Sequence, residues 1–178
     1  MPKYAAFLRA VNLGRNRRVS GAQLKALFEE MGFEDVATFR TSGNVVFEVD
    51  RATKLRERIE AALARELGWD VGVFLRTDEE VRSIAAHEPF DRELVEATEG
   101  RLQVALLPKK PAKDVHAEVL PLATVDDWLA FGDRELYWLP RAGTQGSALD
   151  LKAIEKLLGP WTMRTKGTVE LMAAKFFA

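Results

Sequence analysis

The order of strand-like and helix-like segments constrains this chain more than any single motif does. Over the first 76 residues, short apolar runs typical of strands alternate with apolar residues at helical spacing, in the order β-α-β-β-α-β. The same order returns about a hundred residues later. We therefore predict an α+β fold with two ferredoxin-like (βαββαβ) halves packed together and an extra C-terminal helix.

Helix signals define the first half. Ser20 and Gln23 have the spacing of a capping box, and apolar residues at helical spacing continue to Gly32. A second helix is predicted from Leu55 to Leu67, before Gly68. The remaining predicted elements are strands at Tyr4–Val11, Val36–Arg40, Val45–Val49 and Val71–Leu75, with a hairpin turn at Ser42-Gly43.

The second half follows a Thr77-x-x-Glu80 capping box, which starts a helix that ends near Ala86. These boundaries predict an N-terminal half at 1–77, a helical connector at 78–100, and a C-terminal half with the terminal helix at 101–178. Its predicted strands are Leu102–Leu107, Val125–Phe131, Glu135–Leu139 and Trp161–Arg164. Its predicted helices are one that starts at Pro111 and continues through Asp114–Leu120, one from Ser147-x-x-Asp150 through Leu158, and Thr168–Phe177.

Connection rules order the four strands of each such unit 4-1-3-2. The end of the first strand, the start of the first helix and the hairpin turn then fall at one edge of the sheet. In the first half we call this edge the basic pole. Its predicted ligand-binding residues are Arg9, Asn12, Gly14, Arg15, Arg17, Arg18, Ser42 and Asn44.

Charge is distributed unevenly along the chain. The net charge is -1, yet all six charged residues from Met1 to Phe28 are Lys or Arg, whereas residues 57–151 hold 11 basic and 19 acidic side chains. Local positive charge attracts a small anion. Because the chain as a whole is acidic, we do not expect it to bind long nucleic acid.

The basic pole offers donors of two kinds. Backbone N–H groups near Gly14 and at the helix start, together with three guanidinium groups, can bind a phosphate or a carboxylate. A solvated loop whose arginines only keep the chain in solution is the alternative. We predict a protein that binds a small anionic or phosphate-bearing ligand at this pole.

Two other classes of function stay open. Arg9, Asn12, Ser42 and Asn44 are residue types that can stabilise an oxyanion, so an enzyme of unknown reaction could use the same pole. The apolar C-terminal segment 173–178 could instead dock on a partner or form a homodimer through the last helix.

Several kinds of chemistry lack the residues they need. The chain has no Cys, and its only histidines, His87 and His116, do not have metal-ligand spacing, so we predict neither a metal site nor a cofactor. The segment 44–49 has one aromatic residue, where an RNA-recognition strand needs several. Acidic pairs such as Asp126-Asp127 are interpreted as solvated turn residues.

No apolar run approaches the ~20 residues of a membrane span, so we expect a cytoplasmic protein.

Several segments together resemble a known family. They are Leu8-Arg9-Ala10-Val11-Asn12-Leu13-Gly14, Ser42-Gly43-Asn44-Val45-Val46-Phe47, Pro89-Phe90, and Thr162-Met163-Arg164 with Thr168-Val169. In order and spacing they resemble the bacterial domain-of-unknown-function family 1697. The resemblance implies an α+β fold with ferredoxin-like halves and an unassigned function.

The chain departs from that family pattern at three places. Ala10 and Arg15 stand where the family favours Gly, and Thr165-Lys166-Gly167 stands where it favours Asn-Trp-Asn. Arg15 adds a charge to the loop while removing a flexible residue. Arg164, just before the last predicted helix, is a second candidate for binding an anion.

Overall fold

The computed structural model describes residues 1–12 and 15–178 and contains two compact units. The first comprises Met1–Arg82 with Met172–Ala178, and the second comprises Ser83–Leu171. These units group residues that lie close together in the folded chain. The predicted domain boundaries, 1–77, 78–100 and 101–178, remain predictions.

The first unit is built on a four-stranded antiparallel sheet. Its strand order is β2-β3-β1-β4, and β1 is antiparallel to both of its neighbours, which confirms the predicted order 4-1-3-2. Its elements are β1 (Lys3–Arg9), α1 (Gly21–Glu30), β2 (Glu34–Thr38), β3 (Asn44–Glu48), α2 (Leu55–Leu67) and β4 (Gly72–Thr77).

The second unit repeats this topology. Its sheet has the order β6-β7-β5-β8 and is again antiparallel. Two helices precede it, α3 (Asp78–Ala86) and α4 (Arg92–Ala97), of which α4 was not predicted. The remaining elements are β5 (Gln103–Leu106), α5 (Lys113–Val119), a short 3-10 turn (Leu120–Leu122), β6 (Asp127–Phe131), β7 (Glu135–Pro140), α6 (Leu151–Leu158), β8 (Thr162–Thr165) and α7 (Lys166–Phe176).

Both faces of the first sheet are buried. Ala6 and Leu8 of β1 belong to the hydrophobic core that includes Phe28 of α1 and Ile59 of α2. Ala5 and Phe7 of β1 lie on the other face and do not belong to that core. Both are nevertheless fully buried. A strand with apolar residues on both faces is typical of a sheet that is covered on both sides, and this burial agrees with that pattern.

Ser147 does not cap a helix, contrary to the prediction. Asp150 is the cap of α6, and its Oδ1 accepts from the Ala153 N–H at 3.1 Å. The Ser147 hydroxyl instead donates to Oδ1 of Asp127 at 2.6 Å. Ser and Asp are both good capping residues, so the sequence alone does not show which of Ser147 and Asp150 caps α6. The contact of Ser147 with Asp127 leaves Asp150 as the cap.

Asp127 is not a solvated turn residue either, because it is 2% exposed. Its carboxylate accepts hydrogen bonds from Trp138 Nε1 at 2.7 Å and Thr124 Oγ1 at 2.6 Å, in addition to the Ser147 hydroxyl. Burial alone raises the pKa of Asp127, but the three donors outweigh burial and hold that pKa below its ordinary value.

In each sheet, the fourth strand ends with a buried arginine followed by a threonine. Arg76 of β4 and Arg164 of β8 are buried, and each donates from Nη1 to the carbonyl of the preceding residue, at 2.8 and 2.9 Å. Thr77 and Thr165 then accept, through Oγ1, a backbone N–H three residues on at 3.2 Å. We call these two segments the Arg-Thr corners.

Further positions extend this equivalence. The arginines stand opposite Ala5 of β1 and Val104 of β5, and the buried Val81 and Val169 follow five residues after them. The pairs are 88 positions apart. Internal repetition at the level of residues is therefore present, although the order of elements alone suggested the two halves.

Among the described residues, no helix is both long enough and apolar enough to cross a membrane.

Candidate functional site

Asn12 joins the three segments of the basic pole. Its Nδ2 donates to the carbonyl of Thr41 in the β2–β3 turn, and its Oδ1 accepts from Val19 N–H at 2.9 Å, just before α1. The Asn12 N–H also donates to the Arg17 carbonyl at 2.6 Å. Asn12 thus holds the end of β1, the loop and the turn together through its side chain and its backbone N–H, which is the convergence that the strand order predicts.

The backbone at this pole is held in unusual conformations. Ala10 has φ +71°, Asn12 has φ +55° and Arg40 has φ +61°. Non-glycine residues rarely adopt this left-handed region, and Asn tolerates it best. Ala10 lies at a position where the family pattern favours Gly, and its carbonyl accepts from Trp69 Nε1 at 2.9 Å. The strain is therefore offset by contacts that fix the loop at the end of β1.

Gly43 makes the turn possible. Its φ is +84°, and a Cβ at this position would lie 2.5 Å from Val11 Cγ2 and 3.0 Å from Leu8 Cβ. The carbonyl of Gly43 accepts from the Leu8 N–H at 2.8 Å. The turn therefore packs directly on the end of β1, because a hydrogen atom stands where any other residue has a carbon.

Asn44 supports the turn from inside. It has no exposed surface, and its Nδ2 donates to the Phe39 carbonyl at 2.8 Å and to Ser42 Oγ at 3.0 Å. The amide of Asn44 therefore shapes the pole and holds Ser42. Because Asn12 and Asn44 both use their amide groups to bind the protein backbone, an oxyanion at this pole would depend on the other polar groups.

The arginines of the loop lie at the surface. Arg15, Arg17 and Arg18 are exposed, while Arg9 is half-buried at the end of β1. Arg15 and Arg17 make no hydrogen bond or ion pair through their side chains with any other described residue. Exposed cations without a carboxylate partner leave the local positive field uncompensated.

The start of α1 adds backbone donors. The capping box predicted from the sequence is confirmed: Ser20 Oγ accepts from Gln23 N–H at 3.1 Å, and Gln23 Oε1 accepts from Ser20 N–H at 2.8 Å. The N–H groups of Gly21 and Ala22 remain without an intrahelical acceptor. The first turn of α1 has no acidic residue that would compete for them.

Arg40 is a further cation at this edge, which the sequence pattern did not mark. It is exposed at the end of β2, one residue before Thr41, and its guanidinium lies 5.2 Å from the Phe39 ring centre. A Cβ at Gly21 would lie 2.8 Å from Thr38 Oγ1, so the start of α1 adjoins the same end of β2. A lone Arg at a strand end has no sequence signature, and only the sheet order places it here.

Two predicted ligand residues stand apart. Gly14 lies outside the described residues. Arg164 is 7% exposed in β8, and its Nη1 donates to Thr162 Oγ1 at 2.9 Å as well as to the backbone. Burial lowers the pKa of Arg164 to about 10. Its role in binding an anion stays a prediction, and its neighbours in the structure make it part of an Arg-Thr corner.

The apolar C-terminal segment is covered within its own chain. Phe177 is 3% exposed, and the Lys3 ammonium lies 5.9 Å from its ring centre. Lys3 Nζ also donates to the Phe176 carbonyl at 3.0 Å. The homodimer through α7 stays a prediction, and Leu171, 50% exposed, is the apolar side chain of α7 that remains open to it.

Metal ligands do not come together in the part of the chain that the structure describes. No group of three His, Asp or Glu side chains there could hold an ion.

Comparison with known proteins supports the fold and leaves the activity open. The family model described as "Protein of unknown function (DUF1697)" matches residues 1–137. The structure of conserved bacterial protein SP0830 from Streptococcus pneumoniae is similar, with a TM-score of 0.73, 21% sequence identity and 97% of each chain covered. A search of the curated proteins finds no match to this sequence.

Proposed function

We propose that this chain, which belongs to the DUF1697 family of proteins of unknown function, binds a small anionic or phosphate-bearing ligand at its basic pole. The ligand lies against the loop arginines Arg15, Arg17 and Arg18, with Arg9 and Ser42 at its edge. Asn12 and Asn44 shape the backbone beneath it. Arg164 forms no part of this proposed site.

The position of Asn12 carries the proposal. Its three hydrogen bonds connect the loop after β1 to the turn before β3 and to the residues before α1. A loop that only needed to be solvated would require no such connection. The connection joins the arginine loop to the residues before α1, and arginines together with the first N–H groups of a helix are a combination that binds phosphate and carboxylate groups.

Small ligands suit this pole better than long polyanions. Three arginines and the helix start cover the space of one or two anionic groups, and charge-assisted hydrogen bonds to them are each worth about 1.5 to 3 kcal/mol. Residues 57–151 carry 19 acidic and 11 basic side chains, so the rest of the chain offers little attraction to a long polyanion.

The test is the double variant Arg15→Ala/Arg17→Ala. We expect inorganic phosphate and sulfate to raise the melting temperature of the wild type at low salt, because a ligand that binds only the folded state stabilises it. The double variant should bind about a hundredfold more weakly, since two charged hydrogen bonds are lost. Its stability without anion should change by about 0.5 kcal/mol or less.

A matched control separates the site from net charge. Arg51→Ala/Arg65→Ala removes two exposed arginines of the same unit outside the pole and should keep the whole anion effect. High salt should weaken the effect without abolishing it, because a site binds while a diffuse field is screened. If phosphate and sulfate leave the wild-type melting temperature unchanged, or the Arg15/Arg17 variant responds like the wild type, the proposal is wrong.

A further inference from the structure

A cavity in the second unit has a buried lysine in its wall. The cavity has a volume of about 230 Å³, and its apolar lining includes Phe90, Val95 and Leu102. Lys166, the first residue of α7, also lines it, and the side chain of Lys166 is only 6% exposed. A buried ammonium is costly unless it is paired, so its partners decide what the cavity can hold.

The ammonium of Lys166 uses two of its three donors within the protein. It donates to the Ala85 carbonyl at 3.0 Å, in the last turn of α3, and to Glu170 Oε1 at 3.0 Å. No described residue accepts the third N–H. Since the rest of the side chain is enclosed, the open space next to that donor is the cavity.

A second cation stands at the same cavity. Arg92 of α4 donates to Glu88 at 2.7 Å, and both side chains are mostly exposed. The hydrogen bond and the charge of Arg92 lower the pKa of Glu88, and the charge of Lys166 contributes in the same direction. A guanidinium has five N–H donors, so Arg92 keeps donors beyond the one that binds Glu88.

We infer that this cavity binds a small monocarboxylate with a short apolar chain, whose carboxylate accepts from Lys166 and Arg92 and whose chain lies against Phe90, Val95 and Leu102. A dianion fits less well, because Glu88 and Glu170 border the same space and would repel its second charge. A long acyl chain does not fit, because the volume lies below the range of about 300 to 1,000 Å³ of drug-sized ligand pockets. This site differs in chemistry from the basic pole, because Phe90, Val95 and Leu102 add an apolar lining to its cations.

The test uses sodium hexanoate as the probe and follows the backbone amide signals of the full chain by NMR. We expect saturable shifts at the residues that line the cavity. 1-Hexanol and hexylamine have the same chain without the carboxylate. Both should bind at least about tenfold more weakly, because the alcohol carries no negative charge to pair with Lys166 and Arg92 and protonated hexylamine is repelled by them.

Three variants connect the binding to the cavity. Lys166→Met keeps the length of the side chain and should weaken hexanoate binding at least about tenfold. Lys152→Met makes the same change at an exposed position of α6 and should leave binding unchanged. Val95→Phe fills the space from α4, which has no buried residue, and should block binding while Lys166 and its contacts remain intact.

Two results would overturn the inference. One is the absence of saturable shifts in the wild type, and the other is hexanoate binding that survives either Lys166→Met or Val95→Phe. If Lys166→Met fails to fold, Val95→Phe decides alone. Phosphate should shift signals at the basic pole and leave those at the cavity unchanged, so the two proposed sites fail or succeed independently.

Discussion

In each unit, the end of the first strand, the start of the first helix and the hairpin turn lie at one edge of the sheet, but the two units carry different charged residues there. In the second unit, the end of β5 is followed by Lys109 and Lys110, and the β6–β7 turn holds Asp133. Lys110 and Asp133 form an ion pair at 3.0 Å. In the first unit the corresponding turn is Ser42-Gly43, which holds no acid, and Arg15 and Arg17 of the loop form no ion pair with any other described residue. The topology therefore determines where the segments meet, and the turn residues decide whether their charge is compensated.

Buried acids show the same contrast. Among the described residues, the buried carboxylates are Asp127 and Glu135, and both belong to the second unit. In the first unit the buried polar side chains are Asn44 and Arg76. In the first unit a neutral amide, Asn44, supports the β2–β3 turn. In the second unit a buried carboxylate at the start of β6, Asp127, must stay ionised to keep its three donors.

The largest effect should come from the turn glycines. Gly43→Ala should destabilise the protein by about 2 to 5 kcal/mol, because it combines a left-handed backbone with a clash against Leu8 and Val11. Phosphate-induced stabilisation should disappear as well, since the turn can no longer pack on β1. Urea unfolding followed by circular dichroism measures the first effect, and melting with and without phosphate measures the second.

Gly132→Ala is the matched change in the second unit. Its Cβ would lie 2.9 Å from Tyr137 Cε2 and 3.2 Å from Glu135 Oε1, both side-chain atoms, and its φ is not left-handed. We expect a loss of about 1 to 2 kcal/mol and an unchanged response to phosphate. Equal losses from the two substitutions would contradict the claim that only the first turn requires glycine for its backbone.

Acid should affect the second unit first. The pKa of Asp127 is below its ordinary value in the folded protein, so its stabilising contribution is complete above the unfolded pKa of about 4 and is lost as the pH falls through the lower folded value. Asp127→Asn removes the charge and should cost about 2 kcal/mol at neutral pH. The difference between this variant and the wild type should shrink below about pH 4.

Hydrogen exchange read by mass spectrometry measures this locally. Below about pH 4, amides of β7 should lose protection before amides of β3, and in Asp127→Asn the order should already hold at neutral pH. Asp133→Asn is the control, because that carboxylate is 70% exposed and should contribute little. Simultaneous loss of protection in both strands would show that the buried carboxylate does not limit the second unit.

A change in the opposite direction is expected at Ala10. Ala10→Gly should stabilise the protein by about 0.5 to 1 kcal/mol, because relief of a left-handed alanine outweighs the greater freedom of glycine in the unfolded chain. Chemical denaturation gives the change, and the Trp69 bond to the Ala10 carbonyl should persist. Ala64→Gly, inside α2, is the control and should destabilise by a similar amount. Destabilisation by both would mean that the backbone at Ala10 is not strained.

The smallest effect concerns the edge of the second sheet that corresponds to the basic pole, which we call the second pole and which carries Lys109, Lys110 and Asp133. Asp133→Asn frees Lys110 from its partner, so phosphate should begin to stabilise the protein weakly through the second pole, in addition to the first. Stability without phosphate should change by less than about 0.5 kcal/mol, because the pair is exposed. The added phosphate response should persist in a background that also carries Arg15→Ala/Arg17→Ala. Its absence there would show that removing the acid is not enough to make a pole bind anions.

The elements and the strand order could be predicted because local signals are strong in this chain. Ser20 with Gln23 and Thr77 with Glu80 form the capping boxes that their spacing indicated. The bonds of Asn12 could not be predicted, because its partners Thr41 and Val19 are set by how the segments meet. The cavity beside Lys166 had no signal either, since its lining comes from three stretches that no spacing connects.

The Arg-Thr corners have a consequence for how the chain reaches its native pairing. Both fourth strands carry the same arginine and the same capping threonine, so either could approach either first strand while the chain is still open. During synthesis β4 emerges well before β8, and β1 meets its own partner without a competitor. After dilution from denaturant both fourth strands are available together, and we expect exchanged pairing to slow refolding. The order of synthesis thus favours native pairing of two similar sheets, whereas refolding of the complete chain allows each first strand to meet either fourth strand.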